Sequence, residues 1–543
     1  MRALRFCLVI TLLGFASQHA ALAQAGKHSA HENLGVVNFK TSCSGVAQPQ
    51  FNRAVALMLS FQFARAIEGF KKTLASDPSC AIAYWGIALS DWGNPFGTRQ
   101  RPAAQLEQGL SAVEQGRSGQ AKTERERAYI EAVARLYADV GKTDQRSRIL
   151  AYESAMADLS SRYPDDEEAA IFHALALAAS ADPADKTYAR QLQAGAILEK
   201  LFAHHPDHPG LAHYIIHAYD VAPLAGRAVG AARRYAEIAP SAPHALHMPS
   251  HTFTRVGYWQ DSIAANRAAA AASDREGQIA EELHDMDYLT YAYLQRGQDR
   301  AALSMVRSAG EVFSRFDPKV LLSGAAGPPA GYFAHAAIPA RYCLERRAWA
   351  DAAKLAPLAT PFPYTDAITY LARGLGAARA GDAATARSAL DSLGQLQQQL
   401  SSMKESYWAN QVEIQRQEVS AWLAFAQGDQ ETALRSMRAV AEMEDGTEKS
   451  AVTPGPLKPA HELLGEMLLE LKRPADALKE FEATLNKEPN RFWALYGAAR
   501  SAKLAGDERT SRDYFRKLLK VADSSDRLGR PELAEAIRET KTN

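Results

Sequence analysis

The chain has 543 residues, of which 47% are hydrophobic and 23% are charged, and this composition argues against global disorder. At roughly 150 residues per domain, it is long enough for several domains or for one long repeat array. Lysine plus arginine and aspartate plus glutamate number 62 each, which excludes the basic excess typical of a general nucleic-acid binder. We therefore expect no nucleic-acid partner.

Residues 1–23 have the features of a secretory signal peptide. A basic start at Arg2 and Arg5 precedes an apolar run over residues 6–15 and a small-x-small cleavage site at 21–23. We expect a cleaved signal, an N-terminal extension over residues 24–46, and a mature protein that is periplasmic or secreted. The apolar run is too short for a good transmembrane span and no second run follows, so we expect no stable membrane span after cleavage. The alternative is an uncleaved anchor.

Cys7 lies within the predicted signal. Three cysteines follow it: Cys43, Cys80 and Cys343. An odd number leaves at least one of them unpaired within the chain. Export to an oxidising compartment favours a Cys43–Cys80 disulfide. The alternative is two separate buried thiols. Cys343 lies in a helical stretch, and we expect it in the core.

A repeated unit runs through the chain. Pro206 and Pro240 are 34 residues apart, and a glycine followed by a short turn recurs in RVGYWQDSIAAN, QRGQDRAALSM, RAGDAATARSAL, AQGDQETALRSM and LAGDERTSRDYF. This pattern resembles the tetratricopeptide repeat (TPR), two antiparallel helices with small residues at about positions 8 and 20 and a proline at about position 32. The resemblance covers most of residues 47–520. It implies an all-α fold, a right-handed α-solenoid of about ten or eleven TPR-like helix-turn-helix units.

The prolines and glycines set the frame of the units, whose first residues are Ala47, Ala81, Glu167, Pro209, Pro243, Leu283, Phe333, Ala367, Ile414, Lys458 and Phe492. Nine of the eleven residues at position 8 are then Ala, Gly or Ser, which lets the paired helices approach closely. Glycine- and proline-rich segments at 323–330 and 453–456 are predicted loops. They divide the chain into an N-terminal TPR array with a His-rich groove (47–330), central TPR-like units (331–452) and a C-terminal TPR pair (453–543).

In the TPR family, the first helix of each unit lines the concave wall, and its positions 2, 5, 9 and 12 form one stripe facing a ligand groove. Eight histidines and aspartates occupy this stripe in three consecutive units: His213, His217, Asp220, His244, His247, His251, His284 and Asp287. Nine of the 15 histidines lie within residues 204–284. This clustering predicts a metal site or a histidine-lined pocket.

Two histidines four residues apart stand about 6 Å apart on one helix face, and neighbouring helices pack about 8–10 Å apart. Imidazoles from adjacent units can therefore share an ion, and imidazole with carboxylate suits Zn, Cu, Ni or Fe. We predict a transition-metal site with four ligands, His213, His217, His247 and His251. The other four stripe residues, Asp220, His244, His284 and Asp287, are predicted supporting or further ligands. The surplus over one tetrahedral shell could also serve a second metal or act as acid/base groups. The alternatives are a histidine-based pH switch and direct hydrogen bonding to a polar ligand.

Pro249 lies among the stripe histidines His244, His247 and His251, and predicts either a kink or a later helix start. Histidines off the stripe are predicted to be structural (His173, His335 and His461) or solvated in the turn AHHPDHPG (His204, His205 and His208).

Other stripe residues suggest different surfaces. Trp85 and Trp92 give an aromatic wall, which either contacts a ligand or is covered by the N-terminal segment. Glu462 and Glu466 belong to a mixed-charge face that can hold a peptide, although such faces are usually solvated.

Three segments, HYIIHAYD (213–220), PHALHMPSHTFTRVGYW (243–259) and AYWGIALSDWGNPF (83–96), resemble a group of exported bacterial TPR proteins. This resemblance implies the architecture and carries no reaction. Nucleotide-binding glycine loops, a Gly-x-Ser-x-Gly elbow, Cys-x-x-Cys and His-Glu-x-x-His are absent from the sequence.

The sequence leaves three hypotheses. The first is an exported protein that binds a transition metal in its groove. In the second, the metal is catalytic on a small substrate, as in a metal-dependent hydrolase or oxidoreductase. The third is a non-enzymatic scaffold that binds a protein or peptide partner, with incidental histidines.

Overall fold

Antiparallel helical hairpins, stacked one after another, build this protein. The structure, a computed structural model, describes residues 32–97, 99–139, 142–322, 324–526 and 529–541, and the predicted signal peptide lies outside them. Throughout the described residues the secondary structure is helical, with no strand, and the fold is a TPR-like α-solenoid. The number of units stays a prediction, as do the domain boundaries after residues 330 and 452.

The helices before the histidine-bearing region are α1 (Ala47–Leu59), α2 (Phe63–Ser76), α3 (Ile82–Trp92), α4 (Ala103–Ser118), α5 (Glu124–Ala134), α6 (Gln145–Arg162), α7 (Glu167–Ala179) and α8 (Ala189–Phe202). Their apolar faces pack into one core that extends from Leu34 to Phe253. In this part the predicted frame is confirmed at Ala47 and Glu167, where helices begin.

The helices of the histidine-bearing region are α9 (Pro209–Ala218), α10 (Val229–Ile238), α11 (Pro243–His247), α12 (Pro249–Arg255), α13 (Trp259–Arg275), α14 (Ile279–Gln295) and α15 (Asp299–Phe313). The frame predicted helix starts at Pro209 and Pro243 correctly, whereas the following unit begins at Ile279, four residues before Leu283. Pro249 divides the helix of its unit into α11 and α12, which follow each other through Met248 with helical backbone angles. A kinked helix therefore carries the histidines.

The remaining helices are α16 (Pro328–Glu345), α17 (Trp349–Ala352), α18 (Pro363–Ala380), α19 (Ala383–Ser402), α20 (Ser406–Ala426), α21 (Gln430–Asp445), α22 (Ala460–Glu470), α23 (Pro474–Lys487), α24 (Phe492–Leu504), α25 (Glu508–Val521) and α26 (Pro531–Lys541). Cys343, on α16, is buried, as expected. No helix within the described ranges is both long enough and apolar enough to cross a bilayer.

Two features explain the sequence pattern of the repeat. The glycine in each of the five turn motifs has a positive φ, between 67° and 88°, at positions 257, 297, 381, 428 and 506. Side chains with a Cβ are strained in that conformation, so glycine ends the first helix of the hairpin. At position 8, a Cβ on Gly465 would lie 2.9 Å from the ring of Phe481, so the residue is small because the paired helices touch.

The N-terminal segment before α1 is fixed against the first hairpins. Cys43 and Cys80 form the predicted disulfide, which links this segment to the start of α3. Phe39 packs against Trp85 with ring centroids 5.3 Å apart, and Trp85 is fully buried. Of the two interpretations of the aromatic wall, coverage by the N-terminal segment is therefore confirmed at Trp85.

Candidate metal centre

Six histidine rings from three consecutive hairpins meet in one buried group. Helices α9, α11, α12 and α14 carry them: His213, His217, His244, His247, His251 and His284. All six side chains are buried, with exposed fractions between 0% and 8%. We call this group the histidine centre. It divides into two triads, in each of which one ring nitrogen per residue lies within 4.8 Å of the other two.

The first triad consists of His213, His217 and His244. The Nδ1–H group of His213 donates a 2.6 Å hydrogen bond to the carbonyl oxygen of Leu59, and Nδ1 of His244 lies 2.9 Å from Oε1 of Glu281. These contacts fix the two rings through Nδ1. The Nε2 atoms of all three rings are buried and have no hydrogen-bonding partner among the described residues. The unpaired nitrogens are therefore available to a ligand.

The second triad consists of His247, His251 and His284. Nδ1 of His247 lies 2.8 Å from its hydrogen-bond acceptor, Oδ1 of Asn266. The same nitrogen is in ion-pair contact with Oδ1 of Asp285 at 2.7 Å. The Asp285 oxygen is off the direction of a good hydrogen bond, so we assign the bond to Asn266 and the charge interaction to Asp285.

The other two rings of the second triad complete the arrangement. Nδ1 of His251 lies 2.9 Å from Oδ2 of Asp220, and its Nε2 faces Nε2 of His247 at 3.1 Å. Nδ1 of His284 is buried without a partner. Carboxylates or amides behind metal-ligating histidines fix the ring and its tautomer, so two of the three rings, His247 and His251, have the support that is typical of such a site.

Burial determines the protonation of most rings. It lowers the pKa well below the ordinary value in four of them: His213, His217, His244 and His284. It also lowers the pKa of His251 to about 3, although the bond to Asp220 opposes the shift. His247 differs, because Asp285 and Glu281 outweigh its burial and raise its pKa. Five rings are thus neutral at neutral pH, the form that binds metal.

Asp220 supports the second triad as an anion. Burial alone would raise its pKa, but the neighbouring charges of Lys449 and Arg255 hold it well below the ordinary value. Arg255 Nε donates to Oδ1 at 2.9 Å, and Lys449 Nζ lies 3.3 Å from Oδ2. Asp220 therefore holds His251 from behind, in agreement with a supporting role.

Asp287 does not join the histidine centre, although the frame placed it on the stripe. Its carboxylate accepts hydrogen bonds from Nε and Nη2 of Arg341 at 2.9 and 3.1 Å, and both side chains are fully buried. A carboxylate that is already neutralised by a buried guanidinium is a poor candidate for a ligand. The structure thus places Asp287 in a buried ion pair with Arg341, and its supporting or further ligand role stays a prediction that this pair does not favour.

A cavity of about 300 Å³ opens onto the histidine centre. It contacts two rings of each triad, His217, His244, His251 and His284, together with Glu281. Six aromatic side chains contribute to its walls: Phe63, Trp92, Phe96, Phe362, Tyr364 and Trp408. The volume is at the small end of the range for small-molecule sites, and the apolar walls are typical of them.

Three interhelical segments line this cavity and contact the histidine centre or its supports. Phe96 stacks on His217 with ring centroids 4.1 Å apart, and the amide of Ala326 donates to Oε2 of Glu281 at 2.6 Å. The third segment contributes Lys449, which contacts Asp220. Each segment is thus fixed to a ring or to a support behind a ring. The stripe lines a covered chamber here, where the sequence predicted a groove.

Several other sequence predictions have a clear outcome. His335, predicted to be structural, stacks on Phe313 with ring centroids 3.9 Å apart. His208 was predicted to be solvated and is buried against Glu168, at 3.2 Å. The mixed-charge face was wrong as a solvated or peptide-binding surface, because Glu462 and Glu466 are buried in ion pairs with Lys458.

Sequence reasoning missed the supports of the triads. Glu281 and Asp285 precede and follow His284 on α14, and Asn266 lies on α13, whose residues were not included in the stripe. The only available signal was the spacing of Glu281 and Asp285, which places them one helical turn apart on the same side of α14.

No protein-family model matches the chain, and no curated protein matches it in sequence. Solved structures with a related arrangement of helices include the human IFIT1 dimer with m7Gppp-AAAA, with 9% identity and a TM-score of 0.37 over 89% of this chain and 96% of that one. Another is the Cut9–Hcn1 hetero-tetramer of APC/C, with 11% identity and a TM-score of 0.28 over 91% of this chain and 96% of that one.

A third is Naa15/Naa10 bound to HypK-THB, with 10% identity and a TM-score of 0.24 over 91% of this chain and 73% of that one. These similarities are distant and assign no ligand, partner or activity to this chain. The expectation that it binds no nucleic acid rests on its charge balance alone and stays a prediction.

Proposed function

We propose that this protein is a metal-dependent enzyme that binds transition-metal ions at the histidine centre and acts on a small molecule held in the adjoining cavity. The observation that carries the proposal is the convergence of six buried rings in two triads at the wall of that cavity, where three nitrogens of the first triad and one of the second have no hydrogen-bonding partner among the described residues. Burying an imidazole nitrogen without a hydrogen bond is unfavourable, and a bound cation would offset that cost.

The number of protein ligands in each triad favours a catalytic role over a structural one. A structural zinc site has four protein ligands, whereas a catalytic site commonly has three and leaves one position for water or substrate. Each triad supplies three imidazoles, and the cavity contacts both triads. Imidazole-only sets suit Zn, Cu, Fe or Ni, and such a metal activates water for hydrolysis or carries a redox step.

The cavity supports a small, largely apolar substrate. Its volume of about 300 Å³ and its aromatic walls fit one or two rings, with a polar group directed towards the histidines. An extended peptide, the ligand expected of a plain scaffold, would have to displace the covering segments at Phe96, Ala326 and Lys449. The covered chamber therefore favours the enzyme over the scaffold.

We also propose that the protein is exported to the periplasm or secreted. The Cys43–Cys80 disulfide supports this, because disulfides persist in oxidising compartments. Cell fractionation of the full chain tests export. Recovery of the uncleaved protein in the cytoplasm, with free thiols at both positions, would contradict it.

The metal proposal is tested on protein purified without a histidine tag. We expect elemental analysis to find transition metal in at least a one-to-one ratio, and added Zn²⁺ or Cu²⁺ to raise the melting temperature of chelated protein. The metal-loaded protein should turn over a member of a panel of small organic molecules, and chelation should abolish this activity. Negligible content of every transition metal, with an unchanged melting temperature, would contradict the metal proposal and favour the non-enzymatic scaffold.

A further inference from the structure

The two triads are copies of one motif in consecutive repeats. His247 follows His213 by 34 residues, His251 follows His217 by the same number, and both pairs lie four residues apart on a helix. The third histidine of each triad comes from the first helix of the next unit, His244 in one triad and His284 in the other. One period of the solenoid therefore relates the first triad to the second.

We infer that the histidine centre takes two transition-metal ions, one in each triad, and that they form a paired centre with a common substrate cavity. This inference rests on the proposed function and extends it. The sequence had predicted a site with four ligands drawn from both helical pairs and had left a second metal open for the surplus residues. The ring nitrogens instead converge in two separate sets of three.

A carboxylate behind each triad supports two cations. Glu281 contacts His244 of the first triad, and Asp285 contacts His247 of the second, one turn apart on α14. Both carboxylates are fully buried, and among the described residues neither has a lysine or arginine in ion-pair contact. Asp220, in contrast, is neutralised by Arg255 and Lys449. Burial raises the pKa of both carboxyl groups, and a cation bound at each triad would favour their ionised form, which would offset part of its charge.

The triads are contiguous. Two distances join the first triad to the second. The ring centroids of His244 and His247 are 5.8 Å apart, and those of His217 and His251 are 6.0 Å apart. Within the triads, centroid separations range from 4.6 to 6.4 Å. Two ions would therefore share one chamber, and the cavity contacts rings of both triads. A substrate with an oxygen donor, such as a carboxylate or phenolate, could contact both ions.

The motif has two copies because the units on either side carry other residues at the two histidine positions. In the next unit, Asp287 occupies the position of His213 and His247, and Tyr291 that of His217 and His251. Asp287 pairs with Arg341 and Tyr291 with Glu488, so both side chains have partners elsewhere. In the unit that begins at Glu167, the corresponding residues are Ile171 and Leu175, which belong to the core.

The test is metal stoichiometry by native mass spectrometry, with Zn²⁺ as the probe and a chelator as competitor. His217→Ala and His284→Ala each remove one ring that makes no hydrogen bond to a described residue, and His335→Ala is the matched control outside the centre. We expect two ions in the wild type and the control, one in each single variant and none in the double variant. Circular dichroism verifies that each variant is folded.

Copper spectroscopy gives a second readout, and its first part uses the wild type alone. Two Cu²⁺ ions in one chamber should couple magnetically, so the wild type should show a weakened or broadened EPR signal per copper. Each single variant should restore the signal of an isolated ion. A wild type that binds one ion, lost in either variant, would overturn the paired centre and leave the proposed function standing. A wild type that binds no ion would overturn both.

Discussion

His247 and His251 face each other through their Nε2 atoms at 3.1 Å, while an acceptor lies against Nδ1 of each ring. If both Nδ1 atoms carry the proton, two lone pairs point at each other, and this arrangement is repulsive unless a proton or a cation lies between them. Two nitrogens bound to one ion at about 2.0–2.1 Å are separated by a similar distance. The contact is thus explained either by a protonated His247, whose pKa Asp285 and Glu281 raise against the effect of burial, or by a metal ion.

Asp285 and Asp287 lie two residues apart on α14 but differ in role: Asp285 lies behind His247, and Asp287 pairs with Arg341. We expect Asp285→Asn to weaken the metal affinity of the second triad about 10- to 100-fold, because the variant removes the negative charge behind His247. Competition with a chelator measures the effect. The control is Asp287→Asn, which breaks the buried pair with Arg341 and should lower the free energy of unfolding by about 3–5 kcal/mol without changing metal affinity. Equal metal affinity in both variants would contradict the support assigned to Asp285.

The segment that carries Lys449 should control access to the centre. Lys449 is buried and contacts Asp220, so Lys449→Ala removes a charged contact worth about 1.5–3 kcal/mol and should speed extraction of bound metal by a chelator about tenfold or more. Lys186 contacts the same segment at Glu448 from the surface, and Lys186→Ala is the control that should leave the rate nearly unchanged. Stopped-flow mixing with a chromogenic chelator measures both rates. Identical rates would show that this segment does not cover the site.

The sequence predicted the helical hairpins because their determinants are local. A glycine with positive φ at position 257 or 297 ends a helix whatever surrounds it, and a small residue at Gly465 is required by the facing helix. The sequence also identified all six histidines. It could not predict that the six rings form two triads, because the direction of each ring nitrogen depends on the kink at Pro249 and on the rotation of one hairpin against the next. The repeat frame also could not predict the partner of Asp287, because Arg341 lies 54 residues away in the chain.

The Cys43–Cys80 disulfide should stabilise the N-terminal hairpins. It closes a loop with a sequence separation of 37 residues, and the chain-entropy model gives about 3–4 kcal/mol for a loop of this size. We expect Cys43→Ser/Cys80→Ser to lower the free energy of unfolding by about this amount and to leave metal stoichiometry unchanged. Denaturant unfolding with and without a reductant measures the difference. Cys343→Ala should remain sensitive to the reductant, whereas the double variant should not; sensitivity of the double variant would argue against this bridge.

Glu418, which is not part of the histidine centre, should make stability depend on pH. Its side chain is 2% exposed, its Oε2 atom has no hydrogen-bonding partner among the described residues, and burial, reinforced by Glu444, raises its pKa well above the ordinary value. The folded state therefore holds this proton more tightly than the unfolded state. Its stabilising contribution is complete below the unfolded pKa of about 4.3 and is lost as the pH rises towards the folded pKa.

Glu418→Gln keeps the shape of the side chain and cannot ionise. We expect the variant to match the wild type at about pH 4 and to be more stable than the wild type at about pH 8, because only the wild type must then ionise or keep its proton against the solvent pH. Glu413, on the same helix, is the control: hydrogen bonding to Arg416 lowers its pKa, so Glu413→Gln should lose stability at the higher pH. Urea unfolding across this range measures both slopes. A wild-type slope that persists in Glu418→Gln would assign the pH dependence to other buried acids.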